Sequence, residues 1–589
     1  MPESQVTQAP STRGSGDDPA GLLAEWMRAM REQTVGVTGG LAPDFYVLAW
    51  LDWCTNLAQR PKTQFELAGA AAQKAIDTWT FALKALTGEP LAASTDDNRF
   101  ADAAWQQWPF NVYAYAYRNA ADWWRGAATA VPGVEEQHAR NVQFVAENAL
   151  EAASPANYLA TNPELLRATR AESGQNLLRG MRHWFKDIEV AIARGAAGSD
   201  SGFVVGRDVA VTPGKVVMRN PLVELIQYEP ATPSVHAEPI LILPAWIMKY
   251  YILDLSPGNS LVRYLVSQGH TVFMISWKNP GPEDRDLGMD DYLQLGVRDS
   301  LDAVAAIAPG APVHMVGYCI GGTLLSIAAA ALAAQGDRRI ASLSLLAAQT
   351  DFSEPGELSL FISPSQIEAL EAAMQRSGVL TAQQMGGAFA LLRARDLLWV
   401  PAVNKYLRGQ ADKPNDLMAW NADGTRMPCR MHSEYLRDLY LHNRLARGEL
   451  VAQGERIDLA AMRWPMFVVG TETDHVAPWR SVYKARKLTR SNDYTFLLTS
   501  GGHNAGIVSG PVHPRRRYRM STWHDPSTNL DAQTWLAATP SAQGSWWPVW
   551  QRWLVEHSRR EPVAARAVGD DAAGYPALGD APGRYVLQT

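Results

Sequence analysis

The sequence has few cysteines, few charged residues and no long apolar run, and each shortage excludes a class of protein. Three cysteines in 589 residues (Cys54, Cys319 and Cys429) exclude a disulfide-stabilised scaffold, and no metal-ligand spacing surrounds any of them. The longest apolar runs, such as residues 324–334, are well short of a membrane span. The polar N-terminus lacks the apolar core of a signal peptide, so we expect a protein of the reducing cytosol.

The charge balance gives no indication of a nucleic-acid partner. The 54 Lys and Arg residues and the 60 Asp and Glu residues leave a net charge of −6, with no basic block. Apolar residues make up 47% of the chain, and its length predicts two or more domains with large cores. Tryptophan is frequent, at 21 residues, which favours aromatic surfaces at a lid, an interface or an apolar ligand in addition to the core.

Composition divides the chain into four segments. Residues 1–20 are rich in small and polar residues and are expected to be disordered. Residues 21–200 have apolar residues at helical spacing, which predicts an all-α N-terminal domain. From 201 to 560 predicted strands and helices alternate, which indicates a mostly parallel sheet covered on both faces. Residues 561–589 are rich in Ala, Pro and Gly and are expected to form a flexible tail.

Aromatic residues crowd one part of the helical domain and allow two interpretations. They form either a docking face for a partner or an apolar particle, or an aromatic helical core. The residues concerned are Trp105, Trp108, Phe110, Tyr113, Tyr115, Tyr117, Trp123 and Trp124.

In the second domain, the alternation of strands and helices stops between residues 352 and 450. Predicted strands precede this segment at 216–228, 239–244, 270–277, 313–316 and 342–348, and they resume at 465–469 and 494–498. The segment itself is helical and aromatic, and it follows a core strand directly. We therefore expect it to be a lid over a site at the ends of the strands.

The motif that organises this domain is GYCIGG, residues 317–322, between a predicted buried strand and an Ala-rich helix. Strand, glycine turn and helix form the nucleophile elbow of α/β-hydrolases, here with Cys319 where Ser is usual. Small flanking residues let strand and helix approach, and the helix N-terminus favours a thiolate. For the motif alone, a buried structural cysteine is an equally good interpretation, so the downstream partners decide between the two.

Candidates for the acid and the base follow two later strands. Asp474 comes after the predicted strand 465–469, and His503 lies in a glycine loop after the predicted strand 494–498. Nucleophile, acid and histidine thus have the chain order of α/β-hydrolases. His503 would take the proton of Cys319, and Asp474 would fix the tautomer of His503 and stabilise the imidazolium.

Two other residues compete for these roles. Asp351 also follows a predicted strand and could be the acid instead of Asp474. His475 could be taken for the base, but adjacent side chains point apart, which favours a structural role beside Asp474. A metal pair of Asp474 and His475 is excluded because no third ligand is in reach.

The remaining requirement is a pair of backbone donors for the oxyanion. The N–H of Ile320, the residue after the nucleophile, is one such donor. The other is expected from the loop after the strand 239–244, where Trp246 or Ile247 would give its N–H. A cysteine nucleophile favours acyl transfer from a coenzyme A thioester, because exchange of one thioester for another is nearly balanced in free energy. Cysteine hydrolases remain an alternative.

Over residues 100–560 the chain resembles the polyhydroxyalkanoate synthases, most closely the single-polypeptide type. The matching motifs are SPANYLATNP (154–163), KYYILDL (249–255), GHTVF (269–273), SW (276–277), GYCIGG (317–322), YLR (435–437), DH (474–475) and GH (502–503). The loop LPAWIM (243–248) departs from the family, in which a second proline and an asparagine are expected before Lys249. The hundred N-terminal residues match weakly.

This resemblance implies an α/β-hydrolase fold that polymerises (R)-3-hydroxyacyl-CoA with release of CoA. Cys319 would carry the growing polyester as a thioester, and His503 would activate the thiol and the incoming hydroxyl. In this family Asp474 is often assigned to activating the 3-hydroxyl. The CoA thioester is the substrate, and no cofactor or metal is expected.

The resemblance also implies partners and a location. The family acts as a homodimer on the surface of cytoplasmic polyester granules, with granule-associated proteins as further partners, and its lid moves to admit substrate. Two alternatives of other classes are a cysteine hydrolase or depolymerase on the same scaffold and a catalytically idle granule-coating protein. The idle protein would have no reason to keep Cys319, Asp474 and His503 in their three positions.

Overall fold

A computed structural model describes residues 43–87, 97–194, 202–411, 414–527, 530–559 and 561–589. The segment expected to be disordered, residues 1–20, lies outside these residues, as does most of the expected domain boundary near residues 195–202. None of the described helices is long and apolar enough to span a bilayer.

The N-terminal part of the described chain is helical. Its helices are Pro43–Ala58, Pro61–Thr87, Phe110–Thr129, Glu136–Ala153, Pro163–Ala171 and Gln175–Arg194, with 3₁₀ turns at Asn98–Phe100, Ala103–Gln106 and Pro155–Asn157. The sequence TNPE begins one of them, because Asn162 accepts hydrogen bonds from the N–H groups of Glu164 and Leu165 and Pro163 takes the first helical position.

The crowded aromatic residues of this part are divided between core and surface. Trp105 and Tyr117 are buried and pack edge-on against Phe100 in a small helical core. Trp108, in contrast, is 55% exposed. The core interpretation therefore holds for the centre of the cluster but not for all of its members.

The second part surrounds an eleven-stranded sheet. Its strands in chain order are β1 (Gly214–Arg219), β2 (Val223–Tyr228), β3 (Ile240–Leu243), β4 (Val272–Trp277), β5 (Val313–Tyr318), β6 (Ile340–Leu346), β7 (Met466–Thr471), β8 (Tyr494–Thr499), β9 (Arg517–Trp523), β10 (Ala542–Gln543) and β11 (Gly579–Asp580). Across the sheet the order is β10-β9-β8-β7-β6-β5-β3-β4-β2-β1-β11. The six central strands, β8 to β4, are parallel, and those outside them are antiparallel. The predicted parallel sheet is thus confirmed for its centre.

One predicted strand is wrong. Residues 216–228 form not a single strand but the antiparallel pair β1 and β2. The chain reverses at Asn220, whose side-chain oxygen accepts hydrogen bonds from the N–H groups of Leu222 and Val223. An Asn side chain that bonds the backbone two residues on is a standard turn former.

Helices cover both faces of the sheet. They are Leu261–Ser267, the successive segments Met289–Asp291, Tyr292–Arg298 (π-helical) and Asp299–Ile307, then Ile320–Ala334, Trp479–Tyr483, Ala485–Leu488, His503–Ile507, Ala532–Ala538 and Trp547–Glu556. The helix Ile320–Ala334 is buried along almost its whole length. The Trp-rich helix Trp547–Glu556 packs on β6, where the indole N–H of Trp550 donates to Ser344.

Residues 352–450 leave the sheet between β6 and β7 and are mostly helical. The α-helices are Pro364–Ser377, Ala382–Leu392, Val400–Ala402, Asp416–Ala422, Cys429–Glu434 and Arg444–Arg447; π-helical turns lie at Arg395–Trp399, Val403–Leu407 and Tyr435–Leu441, and a 3₁₀ turn at Glu357–Phe361. The insertion also packs on the N-terminal helices: the Phe144 and Phe361 rings are 5.5 Å apart, and the Asn176 amide donates to the carbonyl of Leu407.

The C-terminal segment differs from its expectation. Instead of a flexible tail, residues 561–589 add β11 to the edge of the sheet, and Val563–Ala564 pairs with Ser234–Val235. Val586 is only 2% exposed. The buried carboxylate of Glu224 accepts hydrogen bonds from the N–H groups of Arg584 and Tyr585. Ala, Pro and Gly content misled the prediction because these contacts are made with residues more than 300 positions away.

Candidate active site

Cys319 lies at the turn between β5 and the helix Ile320–Ala334, in a backbone conformation that side chains rarely adopt. Its φ is 55° and its ψ is −129°, and its N–H donates to the carbonyl of Leu346 on the neighbouring strand at 2.9 Å. A non-glycine residue at positive φ is strained and persists only where the surrounding structure imposes it. The predicted nucleophile elbow is therefore present, with the cysteine at its apex.

Two glycines make this turn possible. A Cβ atom on Gly321 would lie 2.4 Å from the carbonyl oxygen of Leu243 at the end of β3, and one on Gly317 would lie 2.4 Å from the Cα of Gly322. Main-chain atoms cannot move away as a flexible side chain can, so both positions require glycine. The close approach also brings the loop after β3 to the elbow.

His503 and Asp474 meet beside this elbow. Asp474 follows β7 and His503 begins the short helix after β8, and the His503 Nδ1 lies 2.8 Å from the Asp474 Oδ2. Because β7 and β8 are parallel neighbours, the two chain segments that follow them leave the same edge of the sheet. The structure thus brings together the acid and base candidates that the sequence indicated.

The Asp474 carboxylate is fully enclosed and fully hydrogen-bonded. Its side chain has no exposed surface. Oδ1 accepts from the N–H groups of Val476 (2.9 Å) and Ala477 (2.8 Å), and Oδ2 accepts from the Thr471 hydroxyl (2.8 Å) in addition to its contact with His503. Burial opposes its ionisation, but the charge and hydrogen bond of His503 and the other donors outweigh burial and lower the pKa of Asp474.

The His503 imidazole lies between this carboxylate and Cys319. Burial alone would lower the pKa of His503, but the charge of Asp474, the nearby Cys319 sulfur and the hydrogen bond to Asp474 raise that pKa well above its usual value. The Nε2 atom is buried and has no hydrogen-bond partner among the described residues. The geometry suits a base that exchanges a proton with the cysteine.

Sequence reasoning missed two residues next to this pair. The Tyr318 hydroxyl donates to the Asn504 side-chain oxygen at 2.6 Å, and the Tyr318 ring lies 5.6 Å from the His503 ring. Both residues adjoin a predicted catalytic residue in sequence, which was the available signal. Their contact ties the elbow to the histidine loop.

The competing candidates lie elsewhere. The Asp351 carboxylate accepts hydrogen bonds from the N–H of Ser353 (2.8 Å) and the Asn443 amide (3.0 Å), which anchor the start and end of the insertion. His475 is half-buried, and burial together with the nearby charge of Arg393 lowers its pKa to about 4. Among the described residues, the histidine that contacts Asp474 is His503 and not its neighbour His475.

The backbone donors expected for the oxyanion are both close to the elbow. Ile320 is the first residue of its helix, so its N–H has no acceptor within the helix. Ile247 lines the same cavity as Cys319. The side chain of Trp246 instead packs between Trp277 and Tyr435. The main-chain carbonyl of Trp246 accepts a hydrogen bond from the Thr425 hydroxyl.

Cys319 opens into a cavity of about 110 Å³ between the sheet domain and the insertion. Its walls are mostly apolar. On the sheet side they include Ile247, Cys319, Ile320, Thr323, Ala347, Gln349, Val476 and Ala477, and on the insertion side they include Phe352, Leu358, Phe361, Ile367, Leu370, Leu380, Met385, Met427, His432, Tyr435, Leu436 and Tyr440. The insertion therefore covers the cysteine, as a lid does.

Aromatic residues of the insertion stand over the cysteine. The rings of Tyr435 and Tyr440 are 5.4 Å apart, and both contact Phe352. Burial first, and then the neighbouring tyrosine and the charge of Cys319, raise the pKa of the Tyr435 phenol well above its usual range. These hydroxyls stay protonated and can donate hydrogen bonds inside the cavity.

Comparison with known proteins agrees with this architecture. A family model described as the N-terminus of poly-beta-hydroxybutyrate polymerase (PhaC) matches residues 96–265, and a model described as the alpha/beta hydrolase fold matches residues 238–509. The predicted α/β-hydrolase fold, preceded by helices, is confirmed. A soluble variant of monoglyceride lipase from Saccharomyces cerevisiae aligns with 59% of this chain and 96% of its own, at 13% identity and a TM-score of 0.33.

Three curated relatives match almost the whole chain. A poly(3-hydroxyalkanoate) polymerase of Methylorubrum extorquens is 40% identical over 91% of this chain and 88% of its own length. The poly(3-hydroxyalkanoate) polymerase subunit PhaC of Rhizobium meliloti is 37% identical over 91% and 86%, and that of Cupriavidus necator is 37% identical over 83% of each chain. The chain therefore belongs to the family of poly(3-hydroxyalkanoate) polymerases, enzymes that in this case use an α/β-hydrolase fold.

Proposed function

We propose that this enzyme polymerises (R)-3-hydroxyacyl-CoA into polyester with release of CoA, and that Cys319 carries the growing chain as a thioester. One observation carries the proposal: a strained cysteine beside the His503–Asp474 pair opens into an apolar, lid-covered cavity. The names of the relatives support the substrate class.

In the loading step, the Cys319 sulfur attacks the carbonyl carbon of the CoA thioester. A bond forms between this carbon and Cys319, and the carbon–sulfur bond to CoA breaks. His503 takes the thiol proton on Nε2 and returns it to the departing CoA sulfur. The raised pKa of His503 supports this role, because it favours the imidazolium that waits to protonate the leaving group.

In the elongation step, the 3-hydroxyl of a second 3-hydroxyacyl-CoA attacks the acyl group on Cys319. His503 removes the hydroxyl proton and gives it to the Cys319 sulfur as the thioester bond breaks. The product is a CoA thioester that is one unit longer, and it reloads Cys319 by the first step. An apolar cavity supports transfer to an alcohol, because it limits access for competing water.

We assign Asp474 to orienting His503 and stabilising its imidazolium. Direct removal of a proton from the substrate hydroxyl would need a free carboxylate oxygen, and each oxygen of Asp474 already accepts two hydrogen bonds. The side chain also has no exposed surface. Its position therefore supports action through His503, as in other nucleophile–histidine–acid triads.

The tetrahedral oxyanion would be held by the N–H of Ile320 and by a second N–H from Ile247 or Trp246. Ile247 is the stronger candidate because it shares the cavity wall with Cys319. In this proposal the enzyme uses no cofactor or metal, and the CoA thioester serves as the substrate. From the family resemblance, we further propose a homodimer that works on the surface of cytoplasmic polyester granules, together with granule-associated proteins.

The test is incubation of the purified protein with (R)-3-hydroxybutyryl-CoA, in which free CoA and product mass are followed together. CoA release with insoluble polyester, absent from Cys319→Ala, is the expected result. CoA release that yields only free hydroxy acid would indicate a thioesterase on this scaffold. No release from thioesters of any chain length would favour the idle granule-coating protein.

A further inference from the structure

One buried polar atom in the cavity wall has no hydrogen-bond partner among the described residues. His432 is 4% exposed and lines the cavity, and the atom concerned is its Nδ1. A buried polar atom without a partner costs free energy unless something else satisfies it. The Nδ1 atom itself is enclosed, so a group in the cavity would meet the other ring nitrogen, Nε2, to which no described residue hydrogen-bonds either.

Other polar groups in the wall are already engaged. The Thr323 hydroxyl donates to the carbonyl of Gln349, and the Gln349 amide donates to the Ser481 hydroxyl. The Gln384 side-chain oxygen accepts hydrogen bonds from Thr381. These side chains therefore each have a hydrogen-bond partner within the protein, whereas the imidazole of His432, like the phenols of Tyr435 and Tyr440, is available to a ligand in the cavity.

The position of His432 relates it to the reacting sulfur. The helix Cys429–Glu434 continues directly into the π-helical turn Tyr435–Leu441, and residues three and four apart share a helix face. His432 therefore lies one turn from Tyr435, which lines the same cavity as Cys319. The charge that acts on His432 is that of Glu371, which is itself paired with Arg437 at 2.7 Å. His432 and Tyr435 are thus neighbours on the same cavity wall.

His432 is a neutral imidazole at physiological pH. Burial lowers its pKa to about 4, and the opposing influence of Glu371 is the smaller of the two. A neutral imidazole has one N–H donor and one acceptor nitrogen. It can therefore donate a hydrogen bond to an oxygen atom without adding a charge to an apolar cavity.

Two kinds of acyl chain, a polyester and a long alkyl tail, differ in the oxygen atoms that they would bring to the cavity beside His432. A chain of 3-hydroxybutyryl units has an ester oxygen in every repeat, whereas a 3-hydroxyacyl group with a long alkyl tail has none beyond its hydroxyl. An alkyl tail would leave the imidazole unsatisfied, and a site with an unsatisfied polar group rejects such a ligand.

On the basis of the proposed function, we propose that His432 is a specificity-determining residue that donates a hydrogen bond to an oxygen of the acyl chain beyond the thioester. Through this contact the cavity prefers an oxygen-bearing polyester chain to an alkyl tail of similar length.

Binding to the unreactive Cys319→Ala protein tests the proposal without any turnover. Two ligands are titrated calorimetrically, the CoA thioester of the 3-hydroxybutyryl dimer and (R)-3-hydroxyoctanoyl-CoA, and the ratio of their dissociation constants is compared between variants. Adding H432L or H432M should lower the preference for the dimer by about three- to tenfold, the range expected for one hydrogen bond. Adding H432Q, which keeps an N–H donor, should retain the preference.

The control is H442L, the same kind of substitution at an exposed position of the insertion outside the cavity wall, which should leave the ratio unchanged. The proposal is overturned if H432L and H432M weaken both ligands equally, if H432Q behaves like them, or if neither thioester binds. Failure of the proposed function is recognised separately, by wild-type protein that releases no CoA or makes no polyester. Two apolar variants, H432L and H432M, are used so that the test can still be carried out if one of them fails to fold.

Discussion

The His503 Nδ1 lies 2.8 Å from the Asp474 Oδ2, and both side chains are enclosed. The two residues come from loops after adjacent parallel strands, and the second imidazole nitrogen is left for Cys319. A buried carboxylate whose oxygens are all occupied can act on the reaction only through the histidine that it holds.

Asp474→Asn should keep this geometry but lower the rate of CoA release by about 10⁴-fold, the loss seen when a triad acid becomes an amide. Asp351→Asn is the matched control, since Asp351 anchors the insertion and has no place in the proposed chemistry. Steady-state CoA release measures both variants. Equal losses in the two would contradict the assignment of Asp474.

The same pair predicts how stability depends on pH. The folded-state pKa of His503 is raised above the usual 6.5, so its contribution to stability is complete below that pH and is lost as the pH rises through the raised pKa. The difference in unfolding free energy between wild type and Asp474→Asn should therefore shrink as the pH rises above the usual histidine pKa and through the raised pKa of His503. Urea denaturation at several pH values measures it, and a difference that grows with pH would refute the sign.

Gly321→Ala should destabilise the protein by about 3 kcal/mol or more, because its Cβ would meet the carbonyl oxygens of Leu243 and Pro244. Gly126→Ala is the control: it lies in the helix Phe110–Thr129 with nothing within 4 Å of an added Cβ, and should stabilise by up to about 1 kcal/mol. Denaturant unfolding compares the two. A tolerated Gly321→Ala would show that the elbow is loosely packed.

A cluster of buried histidines predicts loss of stability in acid. Burial, with smaller effects of His236 and His314, lowers the pKa of His270 to about 3. Below pH 6.5 the unfolded chain binds a proton that folded His270 does not, so stability falls toward about pH 3, by about 1.4 kcal/mol per pH unit. His270→Phe should reduce this slope by about one proton. An unchanged slope in urea denaturation at different pH values would show that His270 does not cause the acid sensitivity.

The C-terminal segment offers a matched pair of adjacent residues. Val586 is 2% exposed and Leu587 is 56% exposed. Val586→Ala should cost about 2 kcal/mol, and Leu587→Ala should change stability by less than about 0.5 kcal/mol. Thermal or urea unfolding distinguishes the two. If both were neutral, the segment would be loose after all, as its composition had indicated.

Local sequence patterns predicted the features that depend on residues close together in the chain. The glycines around Cys319 and the position of Asp474 and His503 after apolar strands indicated where each would lie along the chain. Chain order together with parallel strand pairing then indicated that they would converge. The choice between Asp474 and Asp351 needed the structure, because both follow strands and only spatial contact separates them.

Non-local contacts were beyond the reach of the sequence. Gly579 pairs with Val216 although most of the chain separates them, and an Ala- and Pro-rich segment has no pattern that predicts this pairing. His432 gave no signal either, since a lone histidine on an apolar helix is ordinary. Its unpartnered nitrogen is recognised only in the folded structure, where the insertion covers the cavity.

The measurement that tests the central claim most directly is the intact mass of the protein after brief mixing with (R)-3-hydroxybutyryl-CoA, followed by peptide mapping. The account predicts a 3-hydroxybutyryl adduct on Cys319 in the wild type and none in Cys319→Ala. An adduct confined to Cys54 or Cys429, or polyester formation by Cys319→Ala, would contradict it.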